Sequence, residues 1–286
     1  MTPDQYCQQK AAQSGSSFYY SFLFLPTEKR QAITALYAFC REVDDVVDNS
    51  SDPGIAKSQL QWWHIETEQL FKGKPTHPVT RALSTALQTF NLKQEYLQEI
   101  ITGMEMDLQF NCYKSFDDLM LYCHRAAGVV GLLAAEIFGY QQTETLKFAE
   151  NLGIAFQLTN IIRDIREDAQ RDRVYLPADE LDKFQVTTQD FLATKTSDSV
   201  HKLLEFQVQR AQEYYQRAIS LLPDNDRYLQ RSSLIMANIY QALLDEIVHD
   251  KYRVIEHRIK LTPLRKLWIA WKTARQEKKR YNHGSR

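Results

Sequence analysis

Residues 33–48 read ITALYAFCREVDDVVD, and they combine a helical repeat of apolar residues with a group of carboxylates. Asp44 and Asp48 are four residues apart, so they lie on the same face of a helix. Apolar residues fill most other positions, as is typical of a helix that is buried nearly all round. Like charges at this spacing repel, and a charge among apolar neighbours is costly unless a partner compensates it. The stretch predicts a buried helix with an acidic stripe.

A second stretch, LGIAFQLTNIIRDIRED at residues 152–168, repeats this pattern. Gln157, Asn160, Asp164 and Asp168 follow one another at helical spacing, and all four side chains offer oxygen ligands. Mg²⁺ prefers oxygen ligands, and it commonly joins one or two carboxylates to a substrate phosphate. Two such helices facing each other predict a cavity for Mg²⁺ and a diphosphate. The candidate oxygen ligands are Asp44 and Asp48 of the first stripe and all four residues of the second.

Arginines accompany both acidic stripes. Tyr37 and Arg41 continue the first stripe, and Arg163 flanks the second. A guanidinium group can bind phosphate oxygens through two hydrogen bonds at once, which favours a diphosphate site. The alternative interpretation is a local ion pair between Arg41 and Asp45 on a solvated helix face.

Composition limits the class of protein. Of the 286 residues, 44% are hydrophobic, which permits a large core. The net charge is −1, which indicates no nucleic-acid partner. The four cysteines form neither a CxxC pair nor a zinc spacing. The polar N-terminus lacks the apolar core of a signal peptide. The longest apolar run, AAGVVGLLAA at 126–135, is about half of what a membrane-spanning helix needs. We expect a cytoplasmic protein.

Only nine Gly and eight Pro interrupt long stretches of helical periodicity. No segment alternates like a strand, and no linker divides the chain. We therefore predict one all-α domain over residues 1–286, with a basic helix and tail at 262–286. The predicted helices lie near 2–13, 27–48, 53–72, 78–90, 93–111, 115–139, 142–169, 178–193, 197–222, 225–250 and 263–281.

Other segments admit two interpretations each. The aromatic segment SGSSFYYSFLFLP precedes the first acidic helix and could line an apolar tunnel or simply fill the core. Gly128 and Gly131 weaken a helix. Such glycines are tolerated where the helix kinks, or where a lipid chain or another helix approaches closely. Asp107 could line the cavity or pair at the surface. RDRVYLP, at 171–177, could close over a diphosphate or remain a solvated loop.

The C-terminal segment LRKLWIAWKTARQEKKRYNHGSR carries eight Lys or Arg residues and one acid. Trp268 and Trp271 lie among aliphatic residues within it. Basic helices with tryptophan can rest on an anionic membrane surface, and an ordinary final helix with a solvated tail is the alternative. The chain contains no GxGxxG or GxxxxGK[ST] motif, so a nucleotide cofactor such as NADPH is not expected.

Four segments together resemble the squalene/phytoene synthase family, whose members join two prenyl diphosphates head to head. They are FYYSFLFLP, ALYAFCREVDDVVD, YCHRAAGVVG and FQLTNIIRDIREDAQRDRVYLP. The resemblance covers residues 5 to 270 and implies an isoprenoid-synthase-type helical bundle with a central cavity. WWHIETE, GMEMDLQF and LTPLRKLWIAW are most similar to the presqualene diphosphate synthases of bacterial hopanoid pathways. One departure is DIRED, which places Arg166 where many relatives have a small residue.

The resemblance implies a role for each site residue. The four aspartates hold Mg²⁺, Asn160 binds metal or diphosphate, and Gln157 lines the same cavity. Positions around the diphosphates correspond to Ser17, Tyr37, Arg41, Arg163, Tyr240 and Arg258, with His257 as an alternative to the last. The apolar walls correspond to Phe18, Phe22, Tyr122, Val130 and Gly131.

The implied reaction is the Mg²⁺-dependent condensation of two farnesyl diphosphates to presqualene diphosphate, without NADPH. Squalene, dehydrosqualene and phytoene synthases are alternatives within the family. A class I terpene cyclase, a head-to-tail prenyltransferase and a catalytically inert helical scaffold are alternatives outside it. We also expect contact with downstream isoprenoid enzymes and attachment to the inner membrane face through the C-terminal helix.

Overall fold

The computed structural model describes residues 1–13, 18–50, 52–109 and 112–284. Within these ranges the fold is all-α, as predicted, and the sole β-type pairing is an isolated bridge between Cys112 and Val174. The α-helices are α1 (Pro3–Gln13), α2 (Phe18–Phe22), α3 (Thr27–Asn49), α4 (Pro53–Phe71), α5 (Pro78–Ala86), α6 (Gln94–Gln109), α7 (Phe116–Cys123), α8 (Val129–Phe138), α9 (Glu144–Ala169), α10 (Ala178–Phe184), α11 (Asp198–Leu221), α12 (Arg231–His249) and α13 (Pro263–Gly284).

The two helices that carry the acidic stripes are long and buried. On α3 the apolar stripe of Leu36, Phe39 and Val43 is fully buried. α9 lies at the centre of the bundle and packs against α8, α11 and α12. Each stripe of carboxylates is therefore held on a helix whose other faces are fixed by the core.

α7 and α8 form one continuous helix joined by a π-helical turn at His124–Gly128. This agrees with the predicted helix at 115–139. The combined helix, Phe116–Phe138, is long and apolar enough to cross a membrane, but half of its most apolar window is buried inside the protein. Buried core helices also meet this criterion, so the helix is weak evidence for a membrane span.

Two glycines explain how closely α8 and α9 pack. A Cβ at Gly131 would lie 2.2 Å from the carbonyl oxygen of Ala149, and a Cβ at Gly153 would lie 2.3 Å from that of Ala127. No side chain fits at either position, so the two backbones touch. These contacts also show that α8 and α9 run antiparallel. Close helix packing therefore accounts for Gly131.

The bounds of three predicted helices were wrong. The predicted helix at 225–250 begins only at Arg231, and the predicted helix at 78–90 ends at Ala86. The predicted helix at 178–193 ends at Phe184, because Gln185 adopts a left-handed conformation with φ of 55°. A short 3₁₀ helix, Thr188–Leu192, follows it. α2 was not predicted, since five residues are too few to show a helical repeat.

Candidate active site

The acidic faces of α3 and α9 line one cavity of ≈ 780 Å³. Both predicted carboxylate walls therefore face a shared space. The cavity is also lined by residues of α2, α12 and the first turn of α13. The predicted residues that line it are Phe18, Tyr37, Arg41, Asp44, Asp48, Tyr122, Gln157, Asn160, Arg163, Asp164, Asp168, Tyr240 and Arg258. Ser17, the remaining residue of the predicted diphosphate site, lies outside the described residues.

An apolar tunnel of ≈ 180 Å³ continues from this cavity. Phe18, Tyr37, Gln157 and Asn160 line both spaces, so they mark the junction. Of the other residues predicted for the apolar wall, Phe22, Val130 and Gly131 lie along the tunnel, whereas Tyr122 lines the acidic cavity.

The tunnel extends from its polar junction with the cavity towards the C-terminal end of α8. Asn160, near the C-terminal part of α9, belongs to the junction with the cavity. Because α8 runs antiparallel to α9, the last residue of α8, Phe138, lies furthest from that junction. Phe138 also lines the tunnel and is buried. Phe138 therefore belongs to the part of the tunnel wall that lies away from the acidic cavity.

Arginines hold the carboxylates of α3. Arg41 donates to Asp44 and, across 2.6 Å, to Asp45. Arg173, from the segment after α9, donates to Asp48 across 2.8 Å, and Arg171 lies 3.1 Å from the other oxygen of the same carboxylate. The RDRVYLP segment therefore lies over the acidic cavity.

The carboxylates of α9 differ from one another in their partners. Asp164 accepts hydrogen bonds from Arg163 and lies 2.9 Å from Arg258. Arg258 also binds Glu167 across 2.7 Å. Asp168 has no ion pair among the described residues, although it lines the same cavity. Asp168 is therefore the carboxylate of α9 in the cavity whose negative charge a bound cation would compensate.

Burial shifts the pKa values of two carboxylates that line the cavity. Burial raises the pKa of Asp168 to about 8, and the charges of Asp164 and Asp107 contribute to this rise. Burial also raises the pKa of Asp44 to about 6, although Arg41 opposes the rise. A cation that entered the cavity would favour the ionised form of both groups.

The donor set fits Mg²⁺. The side-chain oxygen of Asn160 is buried and has no hydrogen-bond partner among the described residues. Such an orphaned acceptor costs free energy unless a donor or a metal satisfies it. In the described part of the chain, no three His, Cys, Asp or Glu side chains converge on one point. Mg²⁺ does not require this, because it keeps several waters and binds one or two carboxylates together with substrate phosphates.

Asp107 follows neither of its two predicted interpretations, because it does not line the cavity and its partners are cavity tyrosines rather than surface groups. Tyr122 and Tyr175 donate hydrogen bonds of 3.1 Å and 3.0 Å to its carboxylate. Burial raises the pKa of Asp107 to about 7, although Arg173 and the two tyrosines oppose the rise. Tyr122 and Tyr175 both line the cavity, and their rings stack 5.0 Å apart. Asp107 is thus a half-buried residue that holds two cavity tyrosines.

Sequence patterns missed some cavity residues and left others open. Tyr175 and Lys266 line the cavity, but neither belongs to an acidic stripe, so periodicity gave no signal for them. Arg258 lines the cavity, whereas His257 lies 3.1 Å from Asp250, which decides between these neighbours. Arg166 binds the carbonyl groups of Ala193 and Ile255 and does not line the cavity. Arg166, the residue in DIRED that departs from the family pattern, therefore holds two neighbouring segments in place through their carbonyl groups.

Comparison with known proteins assigns the chain to a family. The sequence model of the squalene/phytoene synthase family matches residues 11–265. The chain belongs to the squalene/phytoene synthase family. The resemblance seen in the four sequence segments is therefore confirmed, and the family is of the prenyltransferase type.

Members of the squalene/phytoene synthase family share sequence and shape with this chain. The phytoene synthase of Arthrospira platensis is 36% identical over 268 residues, which are 88% of this chain and 86% of that one. The 15-cis-phytoene synthase of Synechococcus elongatus is 35% identical and covers 91% of this chain and 89% of its own length.

Solved structures of squalene/phytoene synthase family members superpose on the bundle. A dehydrosqualene synthase in complex with a ligand has a TM-score of 0.86 and 28% identity over 97% of each chain. The squalene synthase HpnC from Alicyclobacillus acidocaldarius has a TM-score of 0.76 and 28% identity, covering 88% of this chain and 95% of that one. The isoprenoid-synthase-type helical fold is therefore also confirmed.

Proposed function

We propose that this protein condenses two farnesyl diphosphates head to head to give presqualene diphosphate, with release of one diphosphate. One observation carries the proposal: two acidic helices line a single polar cavity, and that cavity continues into an apolar tunnel. The cavity suits magnesium-bound diphosphates, and the tunnel suits a prenyl chain. Family membership supports this class of reaction.

The arginines of the cavity supply the contacts for the diphosphates. They neutralise the aspartates, with Arg41 on Asp44, Arg173 on Asp48 and Arg163 on Asp164. The four aspartates and Asn160 would hold Mg²⁺, which would supply Lewis-acid stabilisation of the leaving diphosphate. With a cation at the aspartates, the guanidinium groups are available to bind phosphate oxygens bidentately.

The aromatic residues at the junction protect the reacting carbons. The ring of Phe18 lies 5.3 Å from that of Tyr37, and the ring of Phe156 lies 4.8 Å from that of Tyr240. When the C1–O bond of the first substrate breaks, the electron pair leaves with the diphosphate and an allylic cation remains. Aromatic faces stabilise this cation, and the apolar surroundings exclude water that would quench it.

Carbon–carbon bond formation then needs no redox partner. The C2–C3 double bond of the second substrate attacks C1 of the cation. Loss of a proton from that C1 and bond formation to C3 close the cyclopropane ring. Burial holds the pKa values of Tyr122 and Tyr175 well above their ordinary value, with the charge of Asp107 adding to the rise. Neutral phenols are poor bases, which favours the released diphosphate as proton acceptor. The reaction as proposed is redox-neutral and does not use NADPH.

A phytoene-type condensation of two C20 donors is the second candidate. The 36% and 35% identities to phytoene synthases support it. Mass spectrometry of the products formed with Mg²⁺ from C15 and from C20 diphosphates, each with and without NADPH, tests both candidates. We expect presqualene diphosphate from the C15 donor, unchanged by NADPH. A cyclised C15 product would contradict head-to-head condensation, and turnover of C20 alone would favour the phytoene-type reaction. The absence of any product from either donor would favour the inert scaffold.

A further inference from the structure

α13 has an outer face that is apolar and exposed. Leu264, Leu267, Trp268 and Trp271 follow one another at helical spacing, so they share one side of the helix. Their exposed fractions are 79%, 44%, 56% and 49%. The opposite side is fixed to the bundle, with Ala270 fully buried. Aliphatic and indole groups on one exposed stripe form an apolar patch of the kind that marks an interaction site.

The charges that α13 itself carries around this outer face are basic, although Arg265 in its first turn pairs with Glu246 of α12. The only acid of α13 is Glu277, and it is buried in a salt bridge with Arg227 of 3.0 Å. The side chain of Lys272 lies 4.9 Å from the ring of Trp268, and that of Arg275 lies 5.3 Å from the ring of Trp271. The exposed part of the helix also carries Lys278, Lys279 and Arg280. Basic groups beside tryptophans complement the anionic headgroups and the interfacial zone of a bilayer.

The outer face adjoins the cavity. Pro263 and Lys266, in the first turn of α13, line the cavity, whereas Leu264 and Leu267 are exposed to solvent. α2 packs against α13 and contributes Phe18 to the cavity wall. The same two elements therefore form the wall of the cavity and part of the exposed surface next to it.

We propose that the outer face of α13, with Leu264, Leu267, Trp268 and Trp271 at its centre, docks on an anionic lipid bilayer. Docking would bring the cavity next to the hydrocarbon phase, into which a long prenyl product partitions spontaneously. Docking itself does not depend on the proposed reaction; only this exit route rests on it.

Co-sedimentation with phosphatidylcholine vesicles, with and without phosphatidylglycerol, tests the proposal. The full-length protein is expected to bind the anionic vesicles and to be released by salt, because screening weakens the attraction. The double variant Trp268→Ser/Trp271→Ser should partition about tenfold less, since it loses both interfacial anchors. The double variant Lys278→Gln/Lys279→Gln should bind anionic vesicles about fivefold more weakly for each lysine removed, and its binding to neutral vesicles should not change. Trp62→Ser removes an exposed tryptophan of α4 and should bind like the wild type.

Three outcomes would overturn the proposal. The first is equal sedimentation of the wild type with and without vesicles, and the second is equal vesicle binding by the wild type and the double tryptophan variant. The third is that the wild type binds no vesicles but forms a dimer in analytical ultracentrifugation, and that the double tryptophan variant is a monomer, since a second copy would then cover this face. Turnover of detergent-dispersed substrate should be the same in wild type and variant, so a failure of docking is separable from a failure of the proposed reaction.

Discussion

Arg173 donates a 2.8 Å hydrogen bond to Asp48, a residue 125 positions earlier in the chain. A second bond of 3.1 Å from the same guanidinium reaches the carbonyl oxygen of Val47. These contacts fasten the segment after α9 to the acidic end of α3. Arg173 therefore both closes one side of the cavity and compensates one of its carboxylates.

Arg173→Gln should lower kcat/KM by about tenfold to a hundredfold, because a charge-assisted hydrogen bond worth about 1.5–3 kcal/mol is lost. Steady-state kinetics at several Mg²⁺ concentrations would measure the effect. Arg253→Gln is the matched control, since Arg253 pairs with Asp250 and does not line the cavity. Equal kinetics for Arg173→Gln and the wild type would show that closure by this segment is unimportant.

Neighbouring aspartates of α3 allow a sharp test of the metal site. Asp44 lines the cavity, whereas Asp45 does not and lies 2.9 Å from Lys10. Asp44→Asn should reduce turnover more than about a hundredfold, because it removes a carboxylate that stabilises the leaving group through the metal. Asp45→Asn should reduce it less than about fivefold, as expected for a partly exposed ion pair. Equal losses in the two variants would contradict the assignment of metal ligands on α3.

The glycines of α8 and of the turn before it should differ in their tolerance of alanine. A Cβ at Gly131 would collide with the backbone of Ala149, which cannot move without separating α8 from α9. Gly131→Ala should therefore destabilise the fold by about 2–3 kcal/mol through overpacking. At Gly128 the nearest atom is Nδ1 of His124 at 3.2 Å, a side chain that can shift. Urea unfolding should show a smaller loss for Gly128→Ala, and comparable losses would weaken the account of close backbone contact.

Long periodic elements and their carboxylate spacing could be predicted from sequence. The predicted bounds of 27–48 and 142–169 differ by at most two residues from those of α3 and α9, because uninterrupted apolar periodicity marks long helices well. That the two acidic faces lie opposite each other could also be predicted, because a cation shared between them would compensate the charge of both. Family motifs supplied the distant residues Tyr240 and Arg258.

Features set by tertiary contacts could not be predicted in the same way. The break at Gln185 depends on a left-handed residue that is not glycine, so the sequence carried no turn signal there. The bond between Asp107 and Tyr175 joins two segments that only the fold brings together. The choice between His257 and Arg258 likewise depended on which side chain the preceding turn directs into the cavity.

Stability at acid pH should depend on Glu66, which joins α4 to the start of α5. Its buried carboxylate accepts hydrogen bonds of 2.7 Å and 2.8 Å from the backbone N–H groups of Thr76 and His77. Burial acts to raise the pKa of Glu66, but these bonds and those of the Thr76 and Thr80 hydroxyls outweigh it and lower the pKa below 4.5.

A group whose pKa falls on folding stabilises the protein above its unfolded pKa and ceases to do so as the pH drops through its folded pKa. Glu66→Gln should therefore lower the urea midpoint at pH 7, and the difference from the wild type should shrink below the ordinary pKa of 4.5. Glu68→Gln, an exposed change on the same helix, should shift the midpoint little at either pH. A difference that stays constant down to strongly acid pH would contradict this role of the ionised carboxylate.

The length of the prenyl chain should depend on Phe138, which lines the tunnel at the end that lies away from the acidic cavity. Phe138→Leu opens space at that end, so the ratio of kcat/KM for C20 over C15 diphosphate should rise at least about tenfold, as expected for added room in an apolar pocket. Phe148→Leu is the matched control, because Phe148 is fully buried on α9 and lines no part of the tunnel. Both variants lose core volume, and thermal unfolding would verify that each remains folded. An unchanged ratio in folded Phe138→Leu protein would show that the prenyl chain ends before this residue.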